Sequence, residues 1–183
     1  MLDSCRVEQF DTSKIYNGLK KLECSVSEFN SFCKNNLKKN VANNFIDASV
    51  LLDTESNELV VGFYTIENHR INKPLNENLS EKELKIFKHA PSTIAVTRLT
   101  MLGLRKSHEG NGLGKLLLIN AIKRVYNASK YINTIGLYID AVEDKIEFYK
   151  YYDFEKIGSL VEYGNIKTCP MILHIETIKD LFK

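Results

Sequence analysis

The chain has 183 residues, of which 44% are hydrophobic and 26% are charged, a composition typical of a globular domain with its own core. Its 25 basic and 23 acidic residues give a net charge of +2. This charge excludes a surface that is strongly positive overall, but it is compatible with a local basic patch. No stretch approaches the roughly 18 apolar residues of a membrane span, and the start MLDSCRVEQF lacks the pattern of a secretion signal. We therefore expect one cytoplasmic domain over residues 1–183, with no membrane partner.

The four cysteines, Cys5, Cys24, Cys33 and Cys169, form no C-x-x-C pair. The four histidines of the chain are not grouped near them, as zinc ligands would be. We therefore expect reduced thiols or small core residues, and the sequence predicts no metal site.

The first half of the chain is predicted to contain both helices and strands. Apolar residues at three- and four-residue steps predict a helix over Ser25–Asn40, and Ser25 with Glu28 has the spacing of a capping box at its start. The other predicted elements are a strand and loop over residues 3–18, a hairpin of Asp47–Asp53 with Leu59–Ile66, and a polar, irregular Glu67–Ala90 in which the capping box Ser80–Glu83 starts a short helix through Phe87.

A long strand, Thr93–Leu104, opens the second half, and its apolar phase changes between Met101 and Leu102. A β-bulge would explain this change, and bulges often lie beside active sites. The remaining predicted elements are a glycine-rich turn at residues 108–114, a buried helix over Lys115–Ala128, a strand over Asn133–Ala141, a short helix over Asp144–Tyr152, and closing strands over Phe154–Val161 and Thr168–Ile175. This order predicts one α/β (α+β) domain with a mixed sheet.

The turn Glu109-Gly110-Asn111-Gly112-Leu113-Gly114 is the most specific chemical motif. Glycines let a backbone turn sharply and approach a ligand closely, and the N–H groups at the start of the following helix form a site for a phosphate or pyrophosphate. The motif lacks the G-x-G-x-x-G spacing of a dinucleotide-binding turn and the G-x-x-x-x-G-K-[ST] pattern of a P-loop. On the glycines alone, the pyrophosphate loop of an acyl-coenzyme A enzyme and a plain glycine-rich turn both stay open.

Placed between a long strand and a helix, this loop resembles the Q/R-x-x-G-x-G/A signature of the GNAT family of N-acetyltransferases. Glu109 stands where that family usually has Gln or Arg, and an acid suits a pyrophosphate only when its side chain points away. Leu137–Ala141 followed by Ile146–Phe154 resembles the family's later strand, helix and Phe-Tyr pair, with Asp153 where Gly is common.

A narrower resemblance, over roughly residues 20–160, is to the TacT/AtaT-type GNAT toxins of toxin–antitoxin systems. Met101 departs from that subgroup, which frequently has an Arg there. The segments that carry the resemblance are Leu22–Val26 with Phe29, Phe32 and Leu37, Ala48–Ser49 with Val61–Ile66, and Ile94–Leu104.

The resemblance implies the GNAT fold, with a bulged central strand in a mixed sheet flanked by helices, and acetyl-CoA as the acetyl donor, with no metal. Tyr149 is the implied general acid, because a phenol with an ordinary pKa near 10 is protonated at neutral pH. The implied cofactor-binding residues are Leu102, Gly103 and Leu104, whose main chain would face the pantetheine arm and the thioester, and Glu109, Gly110, Asn111, Gly112, Leu113, Gly114 and Lys115 at the pyrophosphate.

For the acceptor, the narrower resemblance implies the α-amine of aminoacyl-tRNA and inhibition of translation. It also implies a ribbon-helix-helix antitoxin as partner, and a homodimer. The candidate RNA contacts are Lys38, Lys39, Arg105 and Lys106, although such residues commonly form an ordinary solvated face. Two alternatives stay open: a GNAT enzyme that acetylates a small-molecule or protein amine with no toxin role, and a non-catalytic module that retains the coenzyme A fold.

Overall fold

The strands follow the runs of β-branched and aromatic residues. The computed structural model describes residues 4–74, 79–163 and 166–183. Its strands are β1 (Cys5–Gln9), β2 (Asp47–Asp53), β3 (Leu59–Asn72), β4 (Thr93–Leu104), β5 (Gly136–Val142), β6 (Glu155–Lys156), β7 (Val161–Tyr163) and β8 (Ile166–His174). Its helices are α1 (Ser27–Asn35), α2 (Leu37–Ala42), α3 (Glu81–Phe87), α4 (Leu113–Ala128), α5 (Ile146–Lys150) and α6 (Ile175–Asp180). None of these helices is both long and apolar enough to cross a membrane.

The chain divides into two compact units that are interleaved in sequence. The first comprises Met1–Glu67 and Leu99–Ala121, and the second comprises Asn68–Arg98 and Ile122–Lys183. That residues 1–183 form a single domain stays a prediction.

In the first unit, β1 pairs with β2 and β2 pairs with β3, both antiparallel. The register between β2 and β3 shifts at Leu51 and Leu52. Side chains of α1 and α2 pack with residues of the hairpin in one apolar cluster, which fixes these two helices on the unit. The buried members of this cluster are Phe10, Leu19, Leu22, Cys24, Cys33, Leu37, Ala48, Val50, Leu52, Val60 and Phe63.

In the second unit, β4 pairs in parallel with β5 through Thr97–Leu137 and Arg98–Tyr138. Strand β5 is antiparallel to β8, and β8 pairs antiparallel with β6 and β7. The sheet is therefore mixed, as predicted, and most of its strand pairs are antiparallel. The buried members of this unit's apolar cluster are Ile71, Phe87, Ile94, Val96, Tyr138, Ile157 and Ile172.

The prediction of one helix over Ser25–Asn40 is wrong, because the helix breaks at Asn36, whose φ of −121° lies outside the helical range. The capping box predicted at Ser25 is also wrong. Val26 is the N-cap and no side chain caps the helix. By contrast, the capping box at Ser80 and Glu83 is confirmed at the start of α3.

Several predicted strand bounds also change. Strand β3 continues to Asn72 through residues predicted to be irregular, and β5 begins at Gly136 rather than at Asn133. The strand predicted over Phe154–Val161 is wrong, since β6 and β7 are separated by a loop there. The chain after His174 forms α6, where no helix was predicted. The predictions for residues 3 and 75–78 lie outside the described residues.

The bounds of β4 are confirmed at Thr93 and Leu104. Buried and exposed side chains alternate along this strand until Val96 and Thr97, which are adjacent and both buried. The alternation therefore shifts nearer the start of the strand than Met101 and Leu102, where the sequence predicted the shift. The β-bulge in this strand stays a prediction.

Candidate active site

The glycine-rich loop connects β4 to the 16-residue helix α4 in the first unit. Gly110 has φ +79° and Gly112 has φ +75°, a backbone conformation that side chains disfavour. A Cβ at Gly110 would meet none of the residues that the structure describes within 4 Å, so the part of the chain described leaves this main chain open to a ligand. An open backbone at the N-terminus of a long helix suits an anion, and the loop therefore fits a pyrophosphate.

Main-chain hydrogen bonds hold the segment that leads into this loop. The Lys106 N–H donates to the Glu23 carbonyl at 2.8 Å, and the His108 N–H donates to the Arg105 carbonyl at 2.8 Å. Within the loop, the Asn111 side-chain amide donates to the Glu109 carbonyl at 3.1 Å. These bonds fix the backbone before any ligand binds, as an anion site requires.

The acid of the loop is engaged by a residue far away in sequence. The Ser25 hydroxyl donates to Glu109 Oε1 at 2.7 Å. The Glu109 carboxylate thus has a specific partner, Ser25, whose spacing in the sequence predicted a capping box instead. The Glu109 carboxylate also affects the Cys24 thiol. Burial is the main cause that raises the pKa of this thiol to about 11, and the nearby negative charge of Glu109 raises it further.

The end of β4, which holds Leu102, Gly103 and Leu104, packs closely on one side. Gly103 is buried, and a Cβ there would lie 2.9 Å from Phe63, 3.0 Å from Phe29 and 3.1 Å from Cys24. Contacts this short leave no room for a side chain, so the glycine brings the main chain of β4 directly onto the core. The half-buried Leu102 and Leu104 flank it.

Tyr149 lies on α5 in the second unit and is 6% exposed. The rings of Phe148 and Phe154 meet it edge-on, at centroid distances of 5.1 and 5.4 Å. Burial raises the pKa of Tyr149 above its ordinary value of 10.0, so the hydroxyl stays protonated at neutral pH. Among the described residues its hydroxyl has no hydrogen-bond partner, which leaves the proton available to a ligand.

Just after α5, the chain turns at Asp153, a position that favours glycine. The Asp153 N–H donates to the Lys150 carbonyl at 3.0 Å, and the Phe154 N–H donates to the Tyr149 carbonyl at 3.2 Å. Asp153 itself has φ +61°, the left-handed conformation that commonly ends a helix and favours glycine. The helix that carries Tyr149 therefore ends at a strained position.

The four candidate RNA contacts differ in what surrounds them. Lys38, Lys39 and Lys106 are exposed. The Arg105 guanidinium instead donates to main-chain carbonyls of the same unit: to Val60 and Lys21 at 3.1 Å and to Gly18 at 3.2 Å. These bonds give Arg105 a structural role, and its contact with RNA stays a prediction.

The second unit contains a polar network that was not predicted from the sequence. Arg98 donates to Asp140 Oδ2 at 2.7 Å, and the Tyr138 hydroxyl donates to Asp140 Oδ1 at 2.5 Å. His69 stacks on Tyr138 with ring centroids 6.1 Å apart. The pairing of Arg98 with Tyr138 across β4 and β5 brings these groups together, and no spacing along the chain reveals it.

All four cysteines are free thiols, as predicted, and Cys24, Cys33 and Cys169 are buried. Burial is the main cause that raises the pKa of the Cys24, Cys33 and Cys169 thiols. These three thiols therefore stay protonated at neutral pH, and none has the character of a nucleophile.

Comparison with known proteins identifies the family to which this chain belongs. Residues 20–175 match the model of the acetyltransferase (GNAT) domain. Since this match covers most of the chain, including the glycine-rich loop and Tyr149, the chain belongs to the GNAT acetyltransferase family. The predicted family, its fold and the acetyltransferase class are confirmed.

Particular relatives are toxins. A tRNA-acetylating toxin of Mycobacterium tuberculosis is 27% identical over 119 residues, which are 64% of this chain and 68% of the relative. The solved structure of AtaT complexed with acetyl-methionyl-tRNAfMet has a TM-score of 0.81 and 23% identity, covering 98% of this chain and 99% of that one. A tyrosine-to-phenylalanine mutant of AtaT, bound to the C-terminus of the antitoxin AtaR and acetyl-CoA, has a TM-score of 0.76 and 21% identity, covering 99% of both chains. At these identities, the solved structures are similar to this chain in fold.

Proposed function

We propose that this chain transfers an acetyl group from acetyl-CoA to the α-amine of aminoacyl-tRNA, and that it acts in the cytoplasm as a toxin that inhibits translation. The observation that carries the acceptor is the 119-residue match to the tRNA-acetylating toxin of Mycobacterium tuberculosis. Because a GNAT domain alone serves many amines, acetyl transfer and its acceptor require separate tests.

The first unit provides the residues that would hold the donor. The main chain at Gly110 and Gly112, with the N-terminus of α4, would bind the diphosphate, and the exposed Lys115 in the first turn of that helix adds a cation. The main chain of Leu102–Leu104 would position the thioester and stabilise its oxygen as negative charge develops. When bound, acetyl-CoA supplies the acetyl group as a thioester.

Tyr149 is the proposed general acid. Its protonated hydroxyl would give the proton at Oη to the departing sulfur, so that a thiol leaves in place of a thiolate. Burial keeps this proton on the oxygen through the neutral range. An acceptor amine that arrives neutral can attack without a base to deprotonate it first. As the amide forms, its nitrogen releases one proton to water, and Tyr149 regains one from solvent, so the products are the amide and the free thiol.

The test measures transfer of radiolabelled acetyl groups to charged tRNA by Tyr149→Phe and by the matched control Tyr151→Phe, whose side chain is 79% exposed. We expect a loss of at least about 100-fold for the first variant and wild-type turnover for the second. Expression of the wild type and of Tyr151→Phe should arrest growth, and expression of Tyr149→Phe should not. Equal turnover by the two variants contradicts the assignment of Tyr149.

The same assay separates the alternatives. Label that enters small or protein amines, but not aminoacyl-tRNA, would contradict the acceptor and leave acetyl transfer standing. A protein with no heat of binding and no thermal stabilisation by acetyl-CoA would be a non-catalytic module.

We place the RNA contact at Lys38 and Lys39, which are exposed on α2, and at Lys106. The double variant Lys38→Ala/Lys39→Ala should raise KM for tRNA and lower the slope of log affinity against log salt by about one for each lost phosphate contact. Unchanged affinity and slope would remove these lysines from the interface.

We also propose a ribbon-helix-helix antitoxin and a homodimer as its assemblies. The antitoxin is supported by the fold shared with AtaT, which was solved with part of AtaR. Two copies would combine the basic residues of chains that each carry a net charge of only +2. Light scattering of the purified chain, alone and co-expressed with the neighbouring gene product, tests both.

A further inference from the structure

Three ligand-bearing residues from distant parts of the chain meet in the second unit. Glu83 on α3, Glu155 on β6 and His174 at the end of β8 each offer one oxygen or nitrogen, and these three atoms lie within 4.8 Å of one another. Glu83 is 2% exposed and His174 is 3% exposed, and Glu155 is half-buried. Two carboxylates and an imidazole form a set of N and O ligands that is rarely buried unless the charges are neutralised.

The orientation of Glu83 is fixed by its own helix cap. Its Oε2 accepts the Ser80 N–H at 2.7 Å, and the Glu83 N–H donates to Ser80 Oγ at 3.3 Å. The other oxygen, Oε1, is buried and has no hydrogen-bond partner among residues 4–74, 79–163 and 166–183, which the structure describes. Glu155 and His174 take part in further interactions, so the unpaired Oε1 of Glu83 is the atom that indicates a site. A buried carboxylate oxygen without a partner is costly and indicates a missing ligand.

We propose that Glu83, Glu155 and His174 bind one divalent transition-metal ion of the Zn²⁺ class, with water as a fourth ligand. The donor set suits Zn²⁺, which accepts imidazole and carboxylate together. Ligand atoms about 2 Å from a metal are roughly 3–4 Å apart, so closing the site requires side-chain movements of about an ångström. The capping box supplies the outer hydrogen bond that orients a metal-binding carboxylate. The sequence predicts no metal site, because its cysteines form no C-x-x-C pair and its histidines are not grouped near them. Glu83, Glu155 and His174 are far apart in the chain and show no ligand spacing.

The site would be structural. Glu155 directly follows Phe154, whose ring packs against Tyr149, and β6 pairs with β8. An ion held by α3, β6 and β8 would tie these elements together, and its binding energy would add to the stability of the fold.

The test uses tag-free protein stripped with a chelator and then dialysed. We expect one Zn²⁺ per chain by calorimetry, a higher Tm with Zn²⁺ but not with Mg²⁺ or Ca²⁺, and visible absorption when Co²⁺ is bound. Glu83→Gln keeps the cap, because its amide oxygen still accepts the Ser80 N–H, but it loses the charge. Zn²⁺ affinity should fall at least tenfold in this variant and in His174→Gln.

Glu81→Gln and His89→Gln, both exposed, are the matched controls and should bind as the wild type does. The proposal is overturned if the wild type binds no Zn²⁺, if Glu83→Gln binds as tightly as the wild type, or if His89→Gln abolishes binding. Circular dichroism in chelator verifies that each variant is folded, and Glu155→Gln replaces any variant that is not.

Discussion

The hydroxyl of Ser25 is hydrogen-bonded to the carboxylate of Glu109 at 2.7 Å, across 84 positions of sequence. This contact engages the acidic side chain of a loop that is otherwise built for an anion. It also explains how a residue unfavourable to a pyrophosphate can stand where Gln or Arg is usual in the family.

Ser25→Ala should therefore weaken acetyl-CoA binding. A released carboxylate near the N-terminus of α4 repels a diphosphate, and an effect of about 0.3–1 kcal/mol corresponds to a roughly two- to fivefold rise in Kd. Calorimetry at low salt measures it. In a Glu109→Gln background, which removes the charge, the same serine change should have no effect. An equal loss in both backgrounds would show that the serine acts in another way.

Arg105→Ala should destabilise the first unit, because the carbonyls of Gly18, Lys21 and Val60 lose their donors. We expect the free energy of unfolding to fall by about 2 kcal/mol in urea denaturation. Arg105→Lys should recover little, since one ammonium cannot replace the fork of the guanidinium. The exposed neighbour Lys106→Ala should leave stability unchanged, and similar losses at both positions would contradict a specific clamp.

Tyr149 should leave a signature at alkaline pH. Its pKa is raised by burial, so the unfolded chain loses this proton from about pH 10.0 while the folded chain keeps it. The contribution of Tyr149 to the free energy of unfolding is fully present below pH 10. It is lost as pH rises above 10, at about 1.4 kcal/mol per pH unit. The stability of Tyr149→Phe should therefore fall less steeply above pH 10 than that of the wild type. Parallel curves would mean that this phenol ionises as it does in water.

Asp153→Gly should stabilise the fold. The residue has φ +61°, a conformation in which a Cβ is unfavourable and glycine is not. We expect a gain of up to about 1 kcal/mol in the free energy of unfolding, and a loss of at least that size for Asp153→Val, because β-branched residues tolerate this conformation least. The result would be contradicted if the two variants had the same Tm.

Local patterns account for what the sequence predicts well. The bounds of β4, the capping box of Ser80 and the loop at residues 109–114 each depend on a few consecutive residues. Two features that the sequence does not predict come from contacts between distant residues. Ser25 has the spacing of a helix cap, but its hydroxyl is bonded to Glu109. The meeting of Glu83, Glu155 and His174 likewise depends on strand pairing that no spacing encodes.

Gly62 and Gly103 restrict how this protein can diverge. A Cβ at Gly62 would lie 3.0 Å from the Gly103 carbonyl oxygen, and one at Gly103 would lie 2.9 Å from Phe63. Even alanine would therefore require packed neighbours to move: the Leu104 side chain and the Gly103 carbonyl at Gly62, and the rings of Phe63 and Phe29 at Gly103. Random mutagenesis with selection for surviving cells should therefore recover inactivating changes at these two glycines, as readily as at residues that carry out the chemistry.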